Sequence, residues 1–378
     1  MPDRKNRNYR NLAFFYHGSI YNKFSGESVY LSNFISSLKE KFNVTLIDST
    51  TTVESKRKDS KIYQLIVAHL RSFRFFIDEL KKAKEQRVPV FVSEDIYISI
   101  LVVALAKLNR VKFVYRPSDV GKEYRLKLSK MHLLSPLFYS VTYLSELMLL
   151  NFSDIFISGS PKITDNLTKY GIKNRDIINF PFVVRDKLSF DKEKINRFKA
   201  KYNLFEKIVV IFVGSANYPP NMESIRFTIN LAEKLQYMKE VVFLIAGKGT
   251  DQIDAAFPDN LMILGAVDDL DTVLYSSHIG LSPSLVPGGL ITKVVNYLVH
   301  GILVLSTEEG ASGIIENDHL VISDRENFAD KLTEICVDLN IGKMKIGNVL
   351  DNIRKIHLDK AYSKVFPDLL YKKITESI

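Results

Sequence analysis

The segment VPGGLITKVVNYLVHG, residues 286–301, has two features that together could bind an anion. It opens on Pro287-Gly288-Gly289, which interrupts regular structure, and continues into apolar residues at helical spacing that stop at Gly301. Glycines directly before a helix expose backbone N–H groups, and the helix dipole adds positive potential at the same end. The pattern therefore predicts an anion, such as a phosphate group, at the start of this helix.

Further loops of the same kind follow other apolar runs in the chain. They read GSIYNKFSGES, SEDIY, RPSDVGKEYR, GSANYPPN, GKGTD and GAVDD. In open parallel sheets, ligands bind outside the carboxyl ends of the strands, so these loops are where a site is expected. The second half of the sequence contains neither GxGxxG nor GxxxxGK[ST], so neither the usual dinucleotide fingerprint nor a P-loop is present there. A phosphate would instead be held by helix N-termini and backbone amides.

Short apolar runs rich in β-branched and aromatic residues alternate with helical stretches along the chain. This alternation predicts mostly parallel sheets covered by helices on both faces. The strands expected in the first half are 11–19, 43–48, 61–69, 89–95, 111–119, 153–160 and 176–182. Those expected in the second half are 207–215, 240–249, 260–267, 278–284, 302–307 and 319–323.

The length of 378 residues exceeds what one hydrophobic core usually supports, so two domains are expected. The strand pattern restarts after a charged stretch at 184–202. We predict an α/β fold of two doubly wound Rossmann-like domains, residues 1–185 and 186–350, followed by a helical segment at 351–378.

Composition excludes several classes of protein. The single cysteine, Cys336, excludes an internal disulfide framework and fits a reducing compartment. The seven histidines are scattered, without HExxH or CxxC, so no metal site is predicted. The apolar run after the basic N-terminus is too short for a signal-peptide core. We therefore expect a cytoplasmic protein.

Charge is unevenly distributed along the chain. Residues 1–185 carry 30 Lys and Arg against 17 Asp and Glu, a net charge of +13, whereas the remainder has a net charge of −4. One domain is thus expected to meet an anionic partner, for which nucleic acid, lipid headgroups and a phosphate-bearing substrate are candidates. No nucleic-acid-binding module accompanies the charge, so we expect no nucleic acid among the partners.

Residues 205–315 resemble the C-terminal domain of family 4 glycosyltransferases of the GT-B fold. The motifs that carry the resemblance are IFVGSANYPPNMESIRF, FLIAGKG, NLMILGAVDDLDTVLYSSHIGLSPS and PGGLITKVVNYLVHGILVLSTEEGASGI. The N-terminal half resembles the family more weakly, through Gly26 in the loop after the first strand and through SGSPKITDNLTKYGI, residues 158–172. The resemblance implies two domains that face each other across a cleft, with C-terminal helices that pack back on the N-terminal domain.

The resemblance also implies a site for a nucleotide-diphospho-sugar donor, which is a substrate rather than a cofactor. Ala266 and Val267 would offer backbone groups to the base, and Lys293, one helical turn in, would neutralise the leaving diphosphate without a metal. The residues implied to line the donor site are Gly26, Gly214, Ser215, Asn217, Asn221, Gly247, Lys248, Ala266, Val267, Gly288, Gly289, Leu290, Ile291, Thr292 and Asn296.

Two departures from the family pattern concern this site. Many members carry glutamates at the positions of Gly288 and Asn296, and the second glutamate usually accepts bonds from both ribose hydroxyls. An amide oxygen accepts one hydroxyl well, while the amide NH₂ group can only donate. The Arg and Lys that many relatives place after the first strand are also missing from SANYPPN. The ribose contact is therefore either weakened or replaced elsewhere.

Candidates for acceptor chemistry lie in the first half. Asp119 ends the apolar run VKFVYRPSD and could meet the acceptor, or equally cap a helix that begins with VGKEYR. His17 follows the first strand. Glu94 and Asp95 could polarise an acceptor hydroxyl, although paired acids at a strand end are commonly just solvated. Together with Lys293, Asp119 and His17 are the catalytic candidates.

A basic stretch, KEYRLKLSK, precedes fifteen residues without formal charge at 131–145. Ser, Thr and Pro interrupt that segment, so a membrane-spanning helix is not expected. A basic patch before an aromatic-rich segment suits an anionic bilayer surface, and a surface helix before a buried core helix fits equally well. With the net charge of +13, the pattern favours a peripheral enzyme at the inner face of the membrane.

Two functions stay open at this point. The first is a hexosyltransferase that moves a sugar from its nucleotide to a hydroxyl of a glycan or lipid-linked acceptor, with retention of configuration and without a metal, as the resemblance implies. The second is a catalytically silent nucleotide-sugar-binding partner protein. Asn296 and the missing basic pair motivate the second.

Overall fold

The computed structural model describes residues 10–16, 26–48, 90–94, 96–117, 119–121, 135–180, 189–286, 291–314, 318–340 and 360–376. These residues fall into two compact units. Residues 10–16, 31–180 and 361–376 belong to the first unit, and residues 26–30 and 189–360 to the second. The expected strand at 61–69 lies outside the described residues.

The strands are β1 (Asn11–Tyr16), β2 (Asn43–Asp48), β3 (Val90–Ser93), β4 (Lys112–Tyr115), β5 (Ile155–Ser158), β6 (Ile177–Asn179), β7 (Ile208–Val213), β8 (Val241–Ala246), β9 (Leu261–Gly265), β10 (Ile279–Ser282), β11 (Leu303–Ser306) and β12 (Leu320–Ile322). The helices are α1 (Gly26–Lys39), α2 (Ile96–Leu108), α3 (Ser135–Phe152), α4 (Pro161–Lys169), α5 (Lys192–Lys201), α6 (Pro219–Lys234), α7 (Leu270–Tyr275), α8 (Thr292–Val299), α9 (Phe328–Asn340) and α10 (Lys360–Glu376). Short 3₁₀ turns occupy Asn174–Asp176, Thr250–Gln252 and Glu309–Ala311.

Each unit contains one parallel sheet, of six strands among the described residues. The strand orders are β2-β1-β3-β4-β5-β6 and β12-β11-β10-β7-β8-β9. In both sheets the chain first adds strands on one side of the first strand and then adds the remaining strands on its other side. The order therefore reverses between β1 and β3 and between β7 and β10. This arrangement confirms the predicted α/β fold of two doubly wound sheets.

Burial explains why the strands read as continuous apolar runs. Strand β8, VVFLIA, is buried at every position, because helices cover both faces of a doubly wound sheet. The observed strands are shorter than the predicted segments where glycine or polar residues turn the chain. Helix α8 ends as expected at Gly301, whose φ of 78° and N–H bond to Leu298 form a left-handed helix stop.

The C-terminal helix α10 packs on the first unit. Its residues Phe366, Leu370 and Ile374 are fully buried. The Phe366 ring lies with its centroid 4.5 Å from that of Phe180 and 5.5 Å from that of Phe34. Aromatic contacts at these separations contribute beyond their buried area. The expectation that C-terminal helical structure returns to the N-terminal domain is confirmed.

Replacing Phe366 by Ala should lower the free energy of unfolding of the first unit by about 3–5 kcal/mol, because the substitution leaves a cavity beside the rings of Phe34 and Phe180. The control is Leu369→Ala on the same helix. Leu369 is exposed, so its loss should change stability by no more than about 0.5 kcal/mol. Denaturant unfolding measures both variants, and equal effects would contradict the packing described for α10.

Candidate active site

Strands β7 and β10 diverge at the point where the strand order of the second sheet reverses. Their ladder ends at Gly280, which pairs with Ile211. Beyond it, the Tyr297 hydroxyl accepts the Val213 N–H at 2.8 Å and lies 3.5 Å from the Leu281 carbonyl oxygen. Burial raises the pKa of Tyr297, which keeps the hydroxyl protonated. Tyr297 therefore bridges the opening between the two strands and holds α8 against it.

Lys293 lies at this opening, in the first turn of α8 rather than one turn further in as expected. Its Nζ donates to Asn221 Oδ1 on α6 at 2.9 Å and stands 4.1 Å from the centroid of the Phe212 ring. Burial lowers the pKa of Lys293 from 10.5 to about 7. Among the described residues no carboxylate pairs with this amino group, whose hydrogen-bond acceptor is a neutral amide.

The loops after β7, β8 and β9 are joined backbone to backbone. Gly247 has a φ of 154°, and a Cβ atom there would stand 2.0 Å from the Gly214 carbonyl oxygen. The Gly247 N–H also donates to the Gly265 carbonyl at 2.7 Å. No residue with a side chain fits that approach. The glycines predicted at 214 and 247 thus set the separation between neighbouring loops.

Lys248 and Ser215 continue this contact between loops. The Lys248 carbonyl accepts the Ala216 N–H at 2.9 Å and the Ser215 hydroxyl at 3.2 Å. Ser215 Oγ in turn accepts the Asn217 N–H at 3.3 Å. The Lys248 side chain is exposed. Ser215, Asn217 and Lys248 are therefore brought together, with the backbone of Lys248 holding the loop and its ammonium group facing solvent.

Asn296 lies one turn after Lys293 on the same face of α8. Its Nδ2 donates to the Thr292 carbonyl at 3.1 Å. This bond within the helix orients the amide. After β9, Ala266 is exposed and Val267 is half-buried. Both follow directly on the strand end, as the donor-site hypothesis requires.

A buried pair that the sequence analysis missed anchors the other end of α8. His300 Nε2 lies 3.1 Å from Asp271 Oδ1, and His300 Nδ1 lies 2.7 Å from the Asn296 carbonyl oxygen. The two side chains are 0% and 2% exposed. Asp271 Oδ2 also accepts the Ser189 N–H at 3.0 Å. The pair fixes the axis of the helix that carries Lys293 and Asn296.

Arg325, also missed, holds the loop that follows β10. Its Nε donates to the Pro283 carbonyl at 2.7 Å, and its guanidinium group forms an ion pair with Glu223 on α6. The same group lies 4.5 Å from the centroid of the Phe227 ring. Arg325 thereby ties the start of the loop before α8 to α6, on which Asn221 also lies.

In the first unit, Glu94 and Arg116 lie at the ends of neighbouring strands β3 and β4. They form a buried ion pair, and the guanidinium carbon is 4.9 Å from the centroid of the Phe34 ring. The interpretation of Glu94 as a solvated acid is therefore wrong, because the sheet places an arginine beside it. Its Oε2 is buried without a hydrogen-bond partner.

Asp119 lies in a fixed loop after β4. Its side chain is buried, and its Oδ1 accepts the Val120 N–H at 2.8 Å. Glu146 on α3 accepts the Gly121 N–H at 2.7 Å, and Asn166 on α4 donates to the Val120 carbonyl at 2.9 Å. Two helices therefore hold the loop that carries Asp119. The residue stays a candidate for acceptor contact.

The remaining predicted site residues either lie at the start of a helix or fall outside the described ranges. Gly26 is the first residue of α1. Ile291 precedes the first residue of α8, which is Thr292. Where side chains are described, no group of three His, Cys, Asp or Glu could hold a metal ion. The site residues outside the described ranges are His17, Asp95, Gly288, Gly289 and Leu290.

The two parallel doubly wound sheets with their flanking helices define the GT-B fold of glycosyltransferases. Sucrose-phosphate synthase from Thermosynechococcus elongatus is similar with a TM-score of 0.71 and 12% identity, over 98% of this chain and 100% of that one. HepE from Anabaena, solved with UDP and glucose, has a TM-score of 0.67 and 10% identity, over 96% and 100%. WaaG, a glycosyltransferase involved in lipopolysaccharide biosynthesis, has a TM-score of 0.61 and 13% identity, over 97% and 98%. At these identities the likeness concerns the fold.

Sequence comparison adds a match to a family within the second unit. Residues 207–338 match the family described as glycosyl transferases group 1. This match confirms the family resemblance that the loop motifs of residues 205–315 carry. No curated protein matches the chain in sequence.

The lowered pKa of Lys293 predicts how stability depends on pH. Between pH 7 and 10.5 the unfolded chain holds a proton that the folded chain has released, so the free energy of unfolding rises with pH across this window. Lys293→Met should remove that rise and, near pH 6, stabilise the ligand-free protein by about 2–5 kcal/mol. Denaturant unfolding at a series of pH values measures the difference from wild type.

The control for this experiment is Lys248→Met, which removes an exposed ammonium group from a neighbouring loop. Its stability difference from wild type should be within about 0.5 kcal/mol at every pH. If Lys293→Met instead destabilised the protein near pH 6, the ammonium group would not be penalised by burial.

Proposed function

We propose that the protein is a glycosyltransferase that moves a hexose from a nucleoside-diphosphate sugar to a hydroxyl of a glycan or lipid-linked acceptor. The observation that carries the proposal is the half-buried Lys293 amino group, at the point where the strand order reverses, with the neutral Asn221 as its hydrogen-bond acceptor. A buried cation without a counter-ion is costly, and a bound diphosphate would supply the missing charge.

The donor diphosphate would lie at the start of α8, where the helix dipole and Lys293 act on the same oxygens. Cleavage of the bond between the sugar and the diphosphate places additional negative charge on the departing nucleotide. Lys293 would stabilise that charge more strongly than it stabilises the bound donor. This local cation is our reason to propose a reaction that proceeds without a metal. Retention of configuration is proposed from the family resemblance.

The nucleoside would lie along the loops after β8 and β9. Asn296 Oδ1 would accept a ribose hydroxyl, and the backbone at Ala266 and Val267 would contact the base. HepE was solved with UDP and glucose, which makes UDP-sugars the first donors to examine. The acceptor would meet the first unit, where Asp119 is held in place by α3 and α4. A cytoplasmic protein that works at the inner face of the membrane fits a lipid-linked acceptor.

A second candidate function is nucleotide-sugar binding without transfer. It is favoured by one observation, the replacement of the expected carboxylate by Asn296, whose amide nitrogen is engaged within its own helix. The experiments that follow distinguish the two functions, because a silent protein binds the donor and releases no free nucleotide.

Incubation with a panel of UDP-sugars should release free UDP slowly, and faster when membrane or glycan acceptors are added. Lys293→Met should lower this rate by about a hundredfold or more, because the developing charge loses its cation. The matched control is Lys234→Met, which removes an exposed lysine near the end of α6 and should leave the rate unchanged. Tight binding of a donor without release of UDP would support the silent protein, and failure to bind any nucleotide would exclude both functions.

Changes at Asn296 should alter recognition of the ribose. Asn296→Ala should weaken UDP binding by about tenfold, the effect of one lost hydrogen bond. Asn296→Glu should restore or strengthen it, because a carboxylate accepts both ribose hydroxyls. Isothermal titration with UDP and with 2′-deoxy-UDP provides the control, since the gain from Asn296→Glu should shrink for the deoxynucleotide. An equal gain for both nucleotides would show that Asn296 does not face the ribose.

A further inference from the structure

Arg325 lies in a well-defined turn between β12 and α9. The Asp324 carboxylate accepts the backbone N–H of Asn327 at 2.9 Å and its side-chain amide at 2.9 Å, so the turn that begins α9 is capped. Phe328, the first residue of α9, is fully buried. The Arg325 side chain is itself only 16% exposed. The backbone from which this guanidinium group projects is therefore held in place.

The guanidinium group joins two other elements of the second unit. Its Nε donates to the carbonyl of Pro283, the first residue after β10, at 2.7 Å. Its two terminal nitrogens donate to the two carboxylate oxygens of Glu223 on α6. The same group lies 4.5 Å from the ring centroid of Phe227, one turn further along α6. A planar group with donors in several directions can make these contacts together, which the ammonium group of a lysine cannot.

The two elements that Arg325 joins are those on either side of Lys293. Asn221, whose Oδ1 accepts a hydrogen bond from Lys293 Nζ at 2.9 Å, lies on α6 two residues before Glu223. At about 100° per residue the side chains of Asn221 and Glu223 leave the helix about 200° apart, so Arg325 and Lys293 contact different sides of α6. Pro283 begins the segment that leads to α8 and Lys293. Arg325 can therefore act on Lys293 through both elements without contacting it.

A second residue holds the same segment from another direction. Thr307, directly after β11, donates from Oγ1 to the Ser284 carbonyl at 2.5 Å, and this Oγ1 accepts the Gly310 N–H at 3.0 Å. Thr307 thus fixes the segment relative to β11, whereas Arg325 fixes it relative to α6. The separation between α6 and the start of this segment is the quantity that depends on Arg325.

We propose that Arg325 is a positioning residue for the donor, which holds α6 and the segment after β10 at the separation where Lys293 and the start of α8 bind the diphosphate. This inference rests on the proposed function. Without Arg325, a fraction of the molecules would hold the two elements at that separation, and the apparent affinity for the donor would fall by that fraction. The groups around the bound diphosphate would be unchanged. KM should therefore rise while kcat stays nearly constant.

The experiment measures release of UDP from the UDP-sugar that wild type cleaves fastest, together with titration of UDP. Arg325→Met should raise KM by about five- to tenfold and weaken UDP binding by the same factor, with kcat within about twofold of wild type. This split differs from the effect of Lys293→Met, which lowers the rate itself. Arg325→Lys should recover part of the affinity, because one ammonium group keeps the charge beside Glu223 and loses the fork geometry.

The matched control is Arg226→Met, which removes an exposed arginine from α6 three residues after Glu223. Its KM and kcat should both stay within about twofold of wild type. Thermal unfolding confirms that the variants are folded. Hydrogen exchange of the ligand-free protein gives a readout that needs no reaction: residues 291–299 should exchange faster in Arg325→Met than in Arg226→Met.

The outcomes separate this inference from the proposed function. If wild type releases UDP and Arg325→Met has the same KM and the same exchange as Arg226→Met, the positioning role is overturned and the proposed function stands. A fall in kcat at constant KM would also overturn it, because Arg325 would then act in the transition state. Failure of wild type to bind any UDP-sugar would overturn the inference together with the proposed function.

Discussion

The position of one half-buried lysine side chain depends on several elements of the second unit. Lys293 extends from α8 to α6, and burial lowers the pKa of its amino group to about 7. Asn221 accepts its hydrogen bond, and Tyr297 fixes α8 across the opening between β7 and β10. At the far end of the same helix, His300 and Asp271 anchor it. A charge that is costly in the free protein would be stabilised by a bound anion, which is the basis of the proposed donor site.

Much of this arrangement could be predicted from sequence, and the rest could not for an identifiable reason. Apolar runs such as VVFLIA predict buried parallel strands, and Gly301 predicts the end of α8, because both signals are local. Partners far apart in sequence leave no such signal. Asp271 and His300 are 29 residues apart, and Arg325 reaches Glu223 across 102 residues. The sheet topology brings these residues together, and their spacing in the sequence does not indicate that they are in contact.

Glu94 shows how the same limitation produced an error. Its position after a strand, next to Asp95, is typical of solvated acids, and nothing nearby in sequence contradicts that. Arg116, however, directly follows the neighbouring strand β4, and it lies beside Glu94 because the carboxyl ends of parallel strands meet at one edge of the sheet. The pair is buried against Phe34. A buried ion pair is better evidence of a defined arrangement than of stability, since desolvation offsets much of its attraction.

The uneven charge of the chain has a different meaning once the sites are located. The proposed donor site lies in the half with a net charge of −4, where one buried lysine and a helix N-terminus would meet the diphosphate. Binding the donor therefore does not need the +13 of residues 1–185. That charge acts over a longer range and on a broader surface than a single substrate presents.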